Sequence, residues 1–87
     1  MIPPKFQKNQ TAYLLVGEGA IRCKIKDVYN ICRIWFYRID LKDFYDRFEL
    51  EYVNEKYLSK NGVYESGNEA MEVEELNKLL EQHKEGL

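Results

Sequence analysis

The chain has 87 residues and a mass of 10.4 kDa, with 45% hydrophobic residues, 14% aromatic residues and a formal net charge of −2. This apolar content excludes an intrinsically disordered chain and predicts a single domain over residues 1–87. The charge is uneven, because residues 1–47 carry +4 and residues 48–87 carry −6. The asymmetry predicts either two partner surfaces or a basic sheet that packs against its own acidic helix.

The chain shows no targeting or membrane-spanning pattern. No segment has the order of a signal peptide or the length of a transmembrane helix, so we expect a soluble, cytoplasmic protein without membrane contact. A turn near residues 29–31 would place Cys23 opposite Arg38 or Ile39 and Cys32 beside the turn. Because that separation exceeds the reach of a disulfide, we expect two free, mostly buried thiols.

The N-terminal region predicts an extended segment and a first strand. Residues 1–10 contain two consecutive prolines, which favour an extended lead-in. Thr11–Val16 has the composition of a strand and precedes the sequence GEGA. We expect Gly17 and Gly19 to supply the positive φ angles of a hairpin turn there.

Two further strands are predicted at residues 20–29 and 33–41. The first of these alternates apolar with basic side chains, which is typical of a strand with one buried face. Its apolar members are Ile21, Cys23 and Ile25, and its basic members are Arg22, Lys24 and Lys26.

Residues 48–53 predict a fourth strand, connected to the third by the polar residues 42–47. Its apolar members, which alternate with glutamates, are Phe48, Leu50 and Tyr52. Asn61 and Gly62 form the strongest two-residue hairpin signal in the chain, because both central positions of a type I′ turn need a positive φ. A short fifth strand is therefore expected at residues 63–65.

An amphipathic helix is predicted from Gly67 to about residue 84. Ser66 and Glu69 have the spacing of a capping box at its start. Its apolar stripe consists of Ala70, Val73, Leu76, Leu80 and His83. The predicted fold is mainly β (α+β): a small five-stranded antiparallel SH3-like barrel or bent sheet with one C-terminal amphipathic helix.

The third strand has apolar side chains on both faces, so two registers are open. In the first, the core receives Trp35, Tyr37, Ile39 and Leu41, and the outer face receives Ile34, Phe36 and Arg38. In the second, Ile34 and Phe36 enter the core while Trp35 and Tyr37 lie outside. We favour the first register, because four large apolar groups bury more surface than two.

In both registers, the outer face of the second and third strands combines basic residues with a large aromatic side chain. The basic residues are Arg22, Lys24 and Lys26. This combination is typical of a surface that stacks the bases of single-stranded nucleic acid. It also fits lysine stems packed over rings, a protein partner, or the C-terminal helix lying over Ile34 and Phe36.

The sequence offers no catalytic constellation, so we expect a protein that is not an enzyme and has no cofactor or metal. His83 is the only histidine, and the two cysteines and this residue do not make a zinc site. Asp40, Asp43 and Asp46 recur every third residue but lack the glycine of a calcium loop. A solvated turn accounts for them.

Four segments of the chain resemble those of SH3-like small β-barrels found in short phage, prophage and mobile-element proteins. They are KFQKNQTAYLL, AIRCKIKDV, FYRIDL and VYESGNEA. The resemblance spans most of the chain. Asn9 stands where those barrels often have glycine before the first strand. The resemblance implies a binding module and names no ligand.

The function expected from the sequence is a non-enzymatic protein-interaction module, such as an accessory or inhibitory factor of phage type. Two surfaces are candidates for partner binding. The sheet face comprises Arg22, Lys24, Lys26, Ile34, Phe36 and Arg38, and the acidic helix presents Glu72 and Glu75 to a basic partner. A homodimer through Ile34 and Phe36 is one form of this hypothesis. The alternative is a small β-barrel that binds single-stranded nucleic acid.

Overall fold

The structure, a computed structural model, describes residues 2–41 and 48–85, with side chains described up to residue 82. The fold is mainly β, with five antiparallel strands in one sheet and one C-terminal helix, as predicted. The strands are β1 (Thr11–Val16), β2 (Gly19–Ile31), β3 (Ile34–Asp40), β4 (Glu49–Asn54) and β5 (Leu58–Ser59). A 3-10 turn (Glu55–Tyr57) joins β4 to β5, and helix α1 spans Val73–Glu85. The predicted connection at 42–47 lies outside the described residues.

The sheet is strongly curved. Its strand order is β4-β3-β2-β1-β5, so β4 and β5 form opposite edges. In a flat sheet these edges would be roughly 19 Å apart, at four interstrand spacings. The three residues Glu55–Tyr57 connect the two strands, and such a link spans at most roughly 14 Å. The two edges must therefore approach each other where β4 ends and β5 begins.

The inner face of the curved sheet forms the core, and the first register of β3 is confirmed. Tyr37, Ile39 and Leu41 are fully buried, whereas Ile34 is exposed. Trp35 is partly buried and packs against the core. The core also contains Phe6, Ala12, Leu14, Cys23, Ile25, Phe48, Leu50, Val53, Leu58, Met71, Leu76 and Leu80.

The N-terminal lead-in is fixed to this core. The Phe6 ring packs edge-on against Tyr37, with centroids 5.6 Å apart. The Tyr37 hydroxyl donates a hydrogen bond to the Glu55 carboxylate at 2.5 Å and accepts one from the Phe6 amide at 3.3 Å. Burial, followed by the hydrogen bond to Glu55, raises the pKa of Tyr37. Asn9 adopts a φ of 72°, and its amide donates to the Ile25 carbonyl at 2.8 Å.

The β1–β2 turn follows the prediction in part. Gly17 has a φ of 57°, whereas Gly19 has no positive φ and begins β2. A single glycine with positive φ at the first central position is what a type II′ turn requires. The expectation that both glycines supply positive φ is therefore wrong for Gly19.

The β2–β3 turn lies at Cys32 and Arg33, which have φ angles of 51° and 67°. Two positive φ angles in a two-residue loop are typical of a type I′ turn, here formed without glycine. The turn predicted near residues 29–31 is wrong, because β2 continues to Ile31. Both thiols are free, as expected, but Cys32 is exposed rather than buried.

The later turn also shifts the β2–β3 register. Ile25 lies opposite Ile39, so the prediction that Cys23 faces Arg38 or Ile39 is wrong. Cys23 lies opposite Ala12 of β1 and is buried in the core. Burial raises the pKa of its thiol to about 12.

Two β-bulges interrupt the alternation that the sequence predicts. In β2, Ile25 pairs with Ile39 but Asp27 pairs with Arg38, so Lys26 is an extra residue. An extra residue exchanges the two faces for every side chain that follows it.

The second bulge lies in β4. Ile39 pairs with Leu50 and Tyr37 pairs with Val53, which leaves one extra residue in β4. Tyr52 there has a φ of 53° and is exposed, while Val53 occupies the core position. The prediction that Tyr52 faces the core is therefore wrong.

The predicted hairpin at Asn61 and Gly62 is also wrong. The fifth strand is Leu58–Ser59, paired with β1, and residues 63–65 form no strand. The Ser59 hydroxyl accepts hydrogen bonds from the amides of Asn61 and Gly62 at 3.3 and 3.2 Å and donates to the Val63 carbonyl at 2.6 Å. Such local side-chain bonds offer the backbone an alternative to a strand ladder.

Helix α1 begins later than predicted, at Val73, and the Ser66 capping box does not form. Instead, the side-chain oxygen of Asn68 accepts a hydrogen bond from the Glu65 amide at 2.9 Å. Its amide group donates to the Leu58 carbonyl at 3.0 Å. These bonds hold the segment in a turn against β5, so the helix cannot extend back to Ser66.

The segment before α1 joins the sheet at β1. The Met71 amide donates to the Leu15 carbonyl at 2.8 Å, and the Gly17 amide donates to the Met71 carbonyl at 2.9 Å. Leu76 and Leu80 then extend the core from the helix. Within residues 2–41 and 48–85, no helix is long and apolar enough to cross a membrane.

Candidate functional site

Apolar and aromatic side chains, three of them exposed and two partly buried, cover the outer face of β2, β3 and β4 near the Cys32–Arg33 turn. We call this group the outer patch; it consists of Tyr29, Ile31, Ile34, Phe36 and Tyr52. Tyr29 lies opposite Phe36, and Ile31 lies opposite Ile34. The rings of Tyr29 and Tyr52 are 5.1 Å apart between centroids. Ile31, Ile34 and Tyr52 are 44%, 46% and 56% exposed.

The two bulges create the outer patch. Ile25 faces the core, so strict alternation would also turn Tyr29 and Ile31 inward. The extra residue Lys26 reverses this and directs both to the outer face. The β4 bulge acts in the same way on Tyr52, which strict alternation from Leu50 would have buried. The sequence therefore predicts Ile34 and Phe36 on this face but does not predict Tyr29, Ile31 or Tyr52 there.

Charged side chains lie next to the outer patch on the same face. The Arg38 guanidinium is 3.9 Å from Asp27 and 3.6 Å from Glu49, and Asp27 is also 3.7 Å from the Lys8 ammonium. Arg38, which was predicted to bind a partner, is thus engaged by two carboxylates. The exposed Glu51 adds a third carboxylate beside the patch, and the exposed Arg33 of the turn adds a third cation.

Burial and nearby charges both act on the Tyr29 hydroxyl. Desolvation is the main cause that raises the pKa of Tyr29, and the Asp27 carboxylate raises it further. Arg38 acts in the opposite direction, while Tyr52 and Glu51 add smaller increases.

The three predicted basic residues of β2 lie away from the outer patch. Arg22 is in the half of β2 that pairs with β1, Lys24 lies opposite Asp40, and Lys26 occupies the bulge. Five residues of strand separate Lys24 from Tyr29, which corresponds to roughly 16 Å. The combined basic and aromatic surface expected from the sequence is therefore divided between two parts of β2.

The helix does not cover the outer patch. Leu76 and Leu80 belong to the core on the inner face, so the interpretation that α1 lies over Ile34 and Phe36 is wrong. Glu72, which precedes α1, and Glu75 in its first turn are both exposed. They form a separate acidic surface.

A groove of about 960 Å³ lies beside the outer patch and shares Ile34 with it. Its wall includes Trp35, whose indole nitrogen donates to the Ile2 carbonyl at 2.8 Å. The carboxylates that line it bind groups of the chain itself, because Glu65 is 2.9 Å from the Lys5 ammonium and Glu55 accepts from Tyr37. The groove therefore extends the accessible surface beside the β2–β3 hairpin, but both of its carboxylates are already bonded within the chain.

The described residues give no support for a metal site or for catalysis by a cysteine thiol. Among residues 2–41 and 48–82, no group of three or more histidine, cysteine, aspartate or glutamate side chains is arranged to hold a metal ion. Asp43, Asp46 and the His83 side chain lie outside the described part. The predicted solvated turn is wrong for Asp40, which is buried at the end of β3. The raised pKa of the Cys23 thiol keeps it protonated, which is unlike a catalytic thiolate.

Comparisons of the chain with protein-family models, with curated proteins and with solved structures found no match. We therefore infer the function of the protein from the geometry of the outer patch and its surroundings.

Proposed function

We propose that this protein is a non-enzymatic interaction module that binds another protein through the outer patch. The observation that carries the proposal is an exposed aromatic and aliphatic surface on three adjacent strands, on the face opposite the core. Contiguous exposed apolar surface is typical of a binding site. Tyrosine and phenylalanine are also enriched at protein interfaces.

A different protein is a better partner for this surface than a second copy. In a twofold dimer the same patch faces itself. A twofold dimer would bury the Asp27, Glu49 and Glu51 carboxylates of both copies in one interface, where, among the residues that the structure describes, only Asp27 and Glu49 have a cation of their own chain beside them. Light scattering in line with size exclusion is expected to give a monomer of 10.4 kDa. A dimer that Ile34→Glu dissociates would contradict this choice.

Single-stranded nucleic acid, the alternative predicted from the sequence, receives less support. Base stacking needs phosphate-binding cations close to the rings. Lys24 lies roughly 16 Å along β2 from Tyr29, and Arg38 is already paired with two carboxylates.

An SH3-like small β-barrel is the fold class we propose within the observed five-stranded sheet. The close approach of the β4 and β5 ends supports it, since little further curvature is needed for closure. Asn9 also has the positive φ that glycine would supply at the corresponding position of those barrels. A phage-type accessory or inhibitory role stays a proposal from the resemblance. Two free thiols favour a cytoplasmic location.

Selection of short random peptides on the immobilised protein tests the proposed surface. Peptides selected on the wild type are then measured against Ile34→Glu and against Val63→Glu, which changes another exposed aliphatic residue. We expect Ile34→Glu to weaken the affinity for these peptides by about tenfold or more, and Val63→Glu to leave that affinity unchanged.

Two results would contradict the proposed function. One is a set of selected peptides that bind Ile34→Glu as well as they bind the wild type. The other is tight binding of a single-stranded oligonucleotide whose affinity falls by roughly tenfold or more between 50 and 200 mM salt, without any peptide binding.

A further inference from the structure

We propose that the outer patch receives an arginine side chain of the partner protein, seated on the Tyr29–Tyr52 ring pair beside Glu51. This inference rests on the proposed function and names the chemistry of the partner. It is carried by the backbone of Tyr52, by the geometry of the ring pair and by the charges around it.

The backbone of Tyr52 is the first observation. Its φ of 53° is uncommon for any residue other than glycine and is unfavourable for a bulky one. The bulge turns this ring to the outer face, and the smaller Val53 takes the core position. A strained backbone at an exposed aromatic side chain is typical of functional sites, where bulges re-aim a side chain.

The ring pair is the second observation. The Tyr29 and Tyr52 rings are 5.1 Å apart with an interplanar angle of 38°, so each supports the other from one side. Tyr52 stays mostly exposed, which leaves ring surface open to a ligand. A cation binds over a tyrosine face within about 6 Å of the ring centre. The planar guanidinium of arginine stacks there better than the compact ammonium of lysine.

The charge around the rings is the third observation. Asp27 and Glu49 share Arg38, and Lys8 also approaches Asp27. Glu51 adjoins Tyr52, is exposed and forms no ion pair with any residue in 2–41 or 48–82. An arriving cation therefore meets both an open ring and an unused carboxylate.

A matched pair of peptides tests the inference. The first is acetyl-Leu-Arg-Leu amide, and the second carries citrulline, which has the shape of arginine without its charge. Each is titrated into isotopically labelled protein and followed by NMR. We expect the arginine peptide to shift the Tyr29 and Tyr52 signals saturably. The citrulline peptide is expected to bind about tenfold more weakly.

Protein variants locate the binding. Tyr52→Leu is expected to weaken the affinity for the arginine peptide by about fivefold, and Glu51→Gln by about threefold. Tyr52→Phe keeps the aromatic ring and should keep the affinity. The matched controls are Tyr64→Leu, at another exposed tyrosine, and Glu75→Gln on the helix. Neither control should change the affinity.

Equal binding of the two peptides would overturn the inference, as would unchanged affinity in Tyr52→Leu. Failure of the proposed function gives a different result. If the selected peptides depend on Ile34 but show no preference for arginine, the interaction surface stands and the arginine site is wrong. If no selected peptide depends on Ile34, the proposed function itself is wrong.

Discussion

Both faces of β3 carry large apolar side chains, but the surroundings of the two faces are very different. On the inner face, Tyr37 and Ile39 are fully buried under the N-terminal lead-in, the helix and the neighbouring strands. On the outer face, Ile34 is exposed and Phe36 is half-buried. Both faces cannot be buried by one small chain, because its elements pack on one side of the sheet. Under the proposed function, the outer face is apolar because it contacts another protein.

The largest expected effect comes from truncating each face of β3 in turn. Ile39→Ala should lower the free energy of unfolding by roughly 2–5 kcal/mol, because it removes buried methyl groups and leaves a cavity. Ile34→Ala should cost only about 0.5 kcal/mol, because its side chain is half exposed. Urea unfolding measures both. Similar losses for the two variants would remove the distinction between the faces.

Alkaline pH should weaken the inner face through Cys23. Burial raises the pKa of this thiol from 9.0 to about 12, so the folded state holds its proton more tightly than the unfolded state. The resulting stability is fully present below pH 9 and is lost as the pH rises towards 12.

Urea unfolding of the wild type and of Cys23→Ala between pH 8 and pH 11 measures this term. We expect the wild type to lose more stability than the variant over that interval. Parallel curves would show that the Cys23 thiol is not held in the core. As a direct check, a thiol reagent should label the exposed Cys32 first and Cys23 only after unfolding.

A smaller effect on stability is expected on the inner face of β3, where the side chain of Tyr37 carries a hydroxyl group. Tyr37→Phe removes the hydroxyl that bonds Glu55 and the Phe6 amide. The cost should be about 1–3 kcal/mol, because the buried Phe6 amide loses its partner, whereas Glu55 keeps the hydrogen bond from the Lys5 amide. Thermal and urea unfolding measure it, with Tyr64→Phe as a control at an exposed hydroxyl. An unchanged free energy of unfolding in Tyr37→Phe would contradict the described network.

The smallest effect concerns the outer face itself. Tyr52→Gly relieves the positive φ of the β4 bulge and should change the free energy of unfolding by at most about 1 kcal/mol, in the stabilising direction. The same variant should lose binding of the arginine peptide. Thermal unfolding checks the first expectation. Marked destabilisation would show that Tyr52 is held for packing rather than for binding.

Much of the fold could be predicted because its signals are local. Alternation in β2 up to Ile25 and the volume argument for Tyr37 and Ile39 agree with the structure. Of the predicted helix stripe, Leu76 and Leu80 are buried, whereas Val73 is exposed. These signals depend on side-chain period and size, which a single sequence displays directly.

The features that could not be predicted depend on contacts distant in sequence. A bulge adds one residue to one strand, and nothing in the sequence around Lys26 or Tyr52 fixes where that residue falls. The helix start depends on Asn68 bonding to Leu58, ten residues away. Because the two bulges decide which way Tyr29 and Tyr52 face, most of the candidate site was hidden from sequence reasoning.

The most direct test of the account combines stability and binding in Ile34→Glu. We expect the free energy of unfolding of this variant to lie within about 0.5 kcal/mol of the wild-type value, as for other exposed positions. We also expect loss of binding to the peptides selected on the wild type. A variant that unfolds would place Ile34 in the core, and a stable variant with undiminished binding would show that the outer patch is not the interaction surface.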